Sequence, residues 1–134
     1  MSEPARKRTV RGVIVKLLTH TREDRGMRLM DVETRALLRT EIHELVTTDQ
    51  DCAAAGEAID RVGFLGFAEI AAGGIVERGD RVLVDDRPIG TVLGFDDCHF
   101  PNHLNVLIAV ERLQTADTLG LTVESEIYFA PAAA

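Results

Sequence analysis

The chain has 134 residues, 46% hydrophobic and 28% charged, which suits one soluble domain with one core. Its formal charge is -7, its aromatic fraction is 4% and it has no Trp. An acidic surface repels phosphate backbones and a base-stacking platform needs exposed rings, so both counts exclude a nucleic-acid partner.

In chain order, residues 1–8 carry the cations Arg6, Lys7 and Arg8 and read as a flexible, solvated tail, with Arg11 just beyond it. A single domain is expected over 9–130, followed by a disordered tail at 131–134. Val10 to His20 is apolar and β-branched, so it reads as the first strand. Thr21 to Gly26 is charged and ends in Gly, which marks a turn. From Met27 to Val46 the apolar residues Met30, Val32, Ala36, Leu38 and Ile42 share one parity. That alternation predicts a hairpin with strands near 27–32 and 36–46, turning at Glu33-Thr34-Arg35. A single helix over the same residues competes, because Leu, Arg and Glu favour helices.

Thr47 to Asp51 offers N-cap side chains, and Cys52, Ala55, Ile59 and Val62 follow at spacings of three and four. This predicts one amphipathic helix, stopped at Gly63. Phe64 to Ile70 reads as a strand. Further strands are expected at Arg81 to Val84, Ile89 to Phe95, Leu104 to Val110 and Leu121 to Phe129. The last alternates an apolar face (Leu121, Val123, Ile127, Phe129) with a polar one (Thr122, Glu124, Glu126, Tyr128), as in a sheet with one solvated side. The fold class that follows is mainly β: a small closed antiparallel β-barrel of about seven strands with one short helix, closure removing the exposed edges.

The densest chemistry lies between Asp96 and Asn105, directly before an apolar strand. Two carboxylates, two imidazoles, a thiol and two carboxamides fall in this stretch. Asp96, Asp97, His99 and His103 are the candidate catalytic residues. A His beside a carboxylate titrates near neutrality, which makes Asp97 with His99 or Asp96 with His103 a general acid-base pair. Asn102 and Asn105 are the candidate ligand-binding residues. Imidazole and carboxylate also ligate divalent metals, with Asp96, His99 and His103 as the first ligands to consider. Against a metal stands the His-x-x-x-His spacing, which needs a helix to place both rings on one face, and Pro101 opposes a helix. Against any site stands turn chemistry, in which Asp and Asn bond their own loop backbone. His20 and His43 read as surface or satisfied histidines. Cys98 lies among acids, which disfavour its thiolate. Ser125, on the apolar parity, reads as a small core residue.

Cys52 and Cys98 are the only cysteines and form no Cys-x-x-Cys motif. The N-terminus has no apolar segment of a secretory signal, and no apolar run reaches the about 20 residues of a membrane span. The expectation is a cytoplasmic protein with reduced thiols and no membrane partner. Walker loops, nucleophile elbows and dinucleotide fingerprints are absent.

From Gly66 to Phe129 the order of elements resembles the IIA component of glucitol/sorbitol-type sugar phosphotransferase systems. The shared features are an apolar strand ending near Ala68-Glu69, a strand start at Gly79-Asp80, the Ile89-Gly90-Thr91-Val92 turn and strand, an Asn before an apolar strand, and a final strand ending in an aromatic residue. The resemblance covers about half the chain and implies a compact closed β-barrel. That family's phosphoacceptor His lies in the strand that aligns near Val62 to Gly66. Here the positions read Val62-Gly63-Phe64-Leu65-Gly66, so the transfer activity is not carried over.

Three functions stay open. The first is a barrel that binds a small molecule through the 96–105 loop, either as a non-redox enzyme (isomerase, cyclase or lyase) or as an accessory protein of a metabolic pathway. The second is a regulatory or phosphocarrier-like relative of the IIA proteins, with His43 or His99 as acceptor. The third is a protein-interaction module. A homo-oligomer is compatible with each.

Overall fold

A computed structural model describes residues 6–50 and 54–132. The fold is mainly β, and no helix occurs among the described residues. Twelve strands follow one another: β1 Val10–Leu17, β2 Thr21–Arg22, β3 Met27–Arg28, β4 Thr34–Leu37, β5 Ile42–Thr48, β6 Ala58–Ile59, β7 Val62–Ala72, β8 Gly74–Glu77, β9 Arg81–Val84, β10 Arg87–Asp96, β11 Asn105–Ala109 and β12 Glu126–Ala130. The largest sheet runs β1-β12-β9-β10-β11-β5-β7-β2, and a further pairing of β1 with β7 joins seven of these strands into a ring. The pairs β3–β6 and β4–β8 stand beside it as two-stranded ladders.

Ring closure depends on one glycine. Gly66 sits at φ 132° beside the irregular register of β1 and β7. A Cβ there would lie 1.9 Å from the carbonyl oxygen of Lys16, so any other residue would push the two strands apart.

Alternation along the strands creates two apolar layers. One cluster takes residues from all seven ring strands, including Ile14, Leu45, Leu65, Val82, Phe95, Val106 and Ile127. It fills the ring. The second cluster takes the neighbouring residues of opposite parity, Val46, Phe64 and Leu107, and packs them under Met27, Leu29 and Ile59. Successive side chains of a strand face opposite ways, so this layer lies on the outer face of β5, β7 and β11.

Four expectations are corrected. The helix stopped at Gly63 does not form: Ala58–Ile59 and Val62–Ala72 are strands, and Cys52 lies outside the described residues. The spacing of Ile59 and Val62 that resembles a helical stripe comes from two strands feeding the same outer layer. The hairpin over 27–46 does not form either, because β3 pairs with β6, β4 with β8, and β5 with β7 and β11. The sheet is not wholly antiparallel, since β5 and β11 run parallel. The final strand is shorter than its alternation, because Leu121 to Ser125 is a turn with Glu124 at φ 83°. Of the N-terminal cations, Lys7 is fixed to the domain, its Nζ lying 2.5 Å from Oδ2 of Asp80, which is 1% exposed.

Candidate functional site

The segment from 97 to 104 links β10 to β11 and folds back by turns, with Phe100 N–H donating to the Asp97 carbonyl and Asn102 N–H to the His99 carbonyl. Its two ends are register partners, Asp96 opposite Asn105. Asn105 is in turn the partner of Glu44 on β5, and Glu44 of Phe67 on β7. Asp96, Asn105 and Glu44 therefore form one row across three adjacent strands. They share the parity of Leu107 and Val46, so the row continues the outer layer in polar residues.

Asp96 is the centre of this row and is 2% exposed. Its Oδ1 accepts from Cys98 N–H (3.0 Å) and Asn105 Nδ2 (2.8 Å), and its Oδ2 from Arg28 N–H (2.8 Å). Burial alone would raise its pKa, but donors from Cys98, Arg28 and Asn105 outweigh it and hold the carboxyl below its usual value. Cys98 is exposed, yet its thiol is pushed up by partial burial and then by the Asp96 charge, which leaves it a poor nucleophile. Asp97 is exposed to solvent.

Glu44 was not foreseen. It is 6% exposed, burial pushes its pKa up, Arg25 pulls it down and Asp96 adds to the rise. A charged residue on the buried parity of an apolar strand, in Ile42-His43-Glu44-Leu45-Val46, is the signal that could have found it. Arg25 was also missed. Its guanidinium lies 2.5 Å from His99 Nε2 and 3.6 Å from Cys98 Sγ. A guanidinium only donates, so Nε2 of His99 accepts.

The other side of the loop is differently built. The His99 and His103 rings stand 5.0 Å apart, and His103 meets Phe67 edge-on at 5.1 Å. Asn102 Nδ2 donates to His103 Nδ1 at 3.0 Å, which places the ring proton on Nε2. Burial, then the charges of His99, His43 and Arg25, hold the His103 pKa below its ordinary value, against a smaller opposing pull from Asn105. The imidazole is neutral at neutral pH.

His43 anchors this side. Its parity is that of Leu45, so it faces inward, and its Nδ1 accepts Leu104 N–H at 3.1 Å. Its Nε2 lies 3.3 Å from Glu41 Oε1, which also accepts Leu38 N–H at 2.6 Å. That backbone donor is the main cause of a lowered Glu41 pKa, with His43 and Arg35 contributing and burial opposing. His43 is thus the satisfied histidine expected of it. His20 stacks on Phe64, centroids 4.3 Å apart.

Between this face of the loop and the start of β5 lies a cavity of about 160 Å³. Leu37 and Leu104, both part of the ring's filling, form its floor. Arg35, Glu41, His43, Phe100, Asn102 and His103 supply its walls.

The sequence treats the loop as one site, and the structure divides it. Asp96, Cys98 and Asn105 come together on one side, His99, Asn102 and His103 on the other. Neither Asp97 with His99 nor Asp96 with His103 is hydrogen-bonded. Among the described residues no group of three or more His, Cys, Asp and Glu side chains is placed to hold a metal ion. The proposed ligands are already engaged, Asp96 by three donors and His99 by Arg25. Four buried side-chain polar atoms lack a partner among the described residues: Glu44 Oε1, Asn105 Oδ1, His103 Nε2 and Asp80 Oδ1. Three of these lie at the seam of the loop with β5 and β11.

No described helix is long and apolar enough to cross a membrane. Residues 4–130 match a family of unknown function, DUF6917, and the chain belongs to it. No curated protein and no solved structure matches the chain.

Proposed function

We propose that this DUF6917 member is a small β-barrel that binds a small molecule at the mouth of its ring, through the second half of the 96–105 loop. The observation that carries this reading is the cavity of about 160 Å³ between Phe100 to Leu104 and the start of β5. Barrel mouths are common ligand sites because a packed interior gives a rigid floor and the loops supply polar contacts. Leu37 and Leu104 are that floor, and Asn102, His103 and Arg35 are the polar contacts. His103 lines the cavity with its Nδ1 bonded to Asn102, and its buried Nε2 and Asn105 Oδ1 are two of the atoms left over at this seam.

The reading keeps the architecture that the sugar-transport resemblance implies and none of its phosphotransfer. Asp96, a catalytic candidate, and Asn105, a ligand-binding candidate, become supports in this reading, since they tie the loop to β11 and to Arg28. His43 joins the supports, holding Leu104 beneath the cavity. The protein works in the cytoplasm as an enzyme or accessory protein of small-molecule metabolism.

The test is a thermal-shift and calorimetric screen of small polar metabolites against wild type and His103→Ala. A compound that binds wild type and loses at least about tenfold in affinity on the variant supports the reading, a loss of about 1.4 kcal/mol. Equal binding to both proteins moves the site elsewhere.

A further inference from the structure

The cavity at the ring mouth holds two opposite charges that do not meet. Arg35 projects from β4, and Glu41 stands just before β5. Arg35 helps keep the Glu41 carboxyl ionised, so each lies within the other's field. No ion pair joins them, and among the described residues the Arg35 side chain makes no hydrogen bond. Glu41 is fixed by one oxygen only: Oε1 takes Leu38 N–H and His43 Nε2, while Oε2 is unbonded. The lining therefore offers a set of cationic donors and an ionised acceptor that do not pair. Apolar side chains line it as well, with Ile42 at 45% exposure and Phe100 at 61%.

We propose that this cavity takes a small zwitterion bearing one ammonium and one carboxylate, with the chemistry of a free α-amino acid whose side chain is short and apolar. The proposal rests on the small-molecule reading above and names its ligand class. The carboxylate would pair with Arg35, where two parallel N–H donors suit its two oxygens. The ammonium would pair with Glu41 Oε2. The apolar side chain would lie against Phe100 and Ile42.

Charge selects against the simpler alternatives. A simple anion at Arg35 meets the Glu41 charge in the same small space, and a simple cation at Glu41 meets Arg35. Only a ligand with both signs turns both neighbours to advantage. Size selects as well. The volume equals about five water molecules at ~30 Å³ each, which is well short of the ~300 Å³ where drug-sized sites begin. An α-amino acid with a side chain of a few carbons fits that scale, and a nucleotide or disaccharide does not.

The experiment is calorimetry on the full chain at neutral pH with valine, with isobutylamine and with 3-methylbutanoate. These three share one branched alkyl group and differ in charge. The expected result is that valine binds at least about tenfold more tightly than either singly charged compound. Arg35→Gln should erase the preference over the amine, and Glu41→Gln the preference over the acid. Arg35→Gln carries the test alone if Glu41→Gln, which touches the Leu38 amide, fails to fold. Equal or absent binding of all three, while other small molecules still depend on His103, overturns the zwitterion and leaves the small-molecule site standing. Absence of binding by compounds of every charge class overturns both.

Discussion

The two halves of the 96–105 loop have similar compositions and opposite physical states. In the first half, Asp96 is bonded through both oxygens and gathers Arg28, Cys98 and Asn105 around it. In the second half, Asn102 and His103 bond each other and line a cavity. Polar density alone does not separate a brace from a binding face. What separates them is what surrounds the polar atoms. Asp96 is closed over by three donors, and Asn102 and His103 line a cavity.

Substitutions can break this contrast at either half, and the largest effect is expected at the brace. Asp96→Ala leaves two backbone N–H groups and the Asn105 amide without their acceptor. The expected cost is about 3–5 kcal/mol, read by urea denaturation. A loss below about 1 kcal/mol would mean that the row is not a brace. The Asp96 carboxyl is held below its ordinary 3.8, so its contribution is present above that value and fades as pH falls through the lower folded value. The acid limb of the stability curve should therefore shrink in Asp96→Asn, leaving the part that other depressed carboxyls such as Glu41 contribute.

Next comes His43→Ala, which removes the acceptor of Leu104 N–H and one partner of Glu41. About 1–3 kcal/mol should be lost, and ligand affinity with it, because the cavity floor is released. His103→Ala should sharpen the contrast from the other side. Stability is expected to change by less than about 1 kcal/mol, since the ring is only half-buried and its bond to Asn102 is exposed, while ligand affinity falls at least about tenfold. A variant that melts like Asp96→Ala would put His103 in the brace.

The smallest effect concerns Glu44, whose pKa burial raises above its ordinary 4.5. A raised carboxyl favours the fold when protonated, and that advantage is complete below 4.5 and lost as pH rises through the folded value. Glu44→Gln should thus be the more stable protein at neutral pH, with the difference shrinking toward pH 4. Paired urea titrations at the two pH values read it, and a difference that grows on acidification would contradict it.

Much of the fold is legible in the chain, and the exceptions have physical causes. Apolar, β-branched runs bounded by turn residues located the strands at Val10, Phe64, Arg81 and Ile89, and alternation the one at Val106, because each buries a face in the ring. Alternation does not tell the inner face from the outer where two layers draw on one strand: Val46, Phe64 and Leu107 are as buried as Leu45, Leu65 and Val106. Periodicity failed at Ile59 and Val62, where a turn between two strands imitates a helical spacing. Pairing is not local at all here. β5 finds β11 about sixty residues later and parallel to it, which no hairpin signal announces. At the site, the loop was visible from its composition. Arg25, Arg35 and Glu41 were not, because they come from distant segments and gain meaning only when the chain folds, whereas Glu44 left a trace as a carboxylate inside the apolar run from Ile42 to Val46.

The central claim is that the second half of the loop, and not the first, faces a ligand. The most direct test follows the backbone amides of the full chain by NMR during titration with a library of small polar fragments. The account predicts hits that shift Asn102, His103, Leu104 and Ile42 while the Arg28 and Cys98 amides, held by Asp96, stay in place. Hits that move Arg28 and Cys98 and leave Asn102 and His103 unchanged would contradict it, as would a library without a single hit.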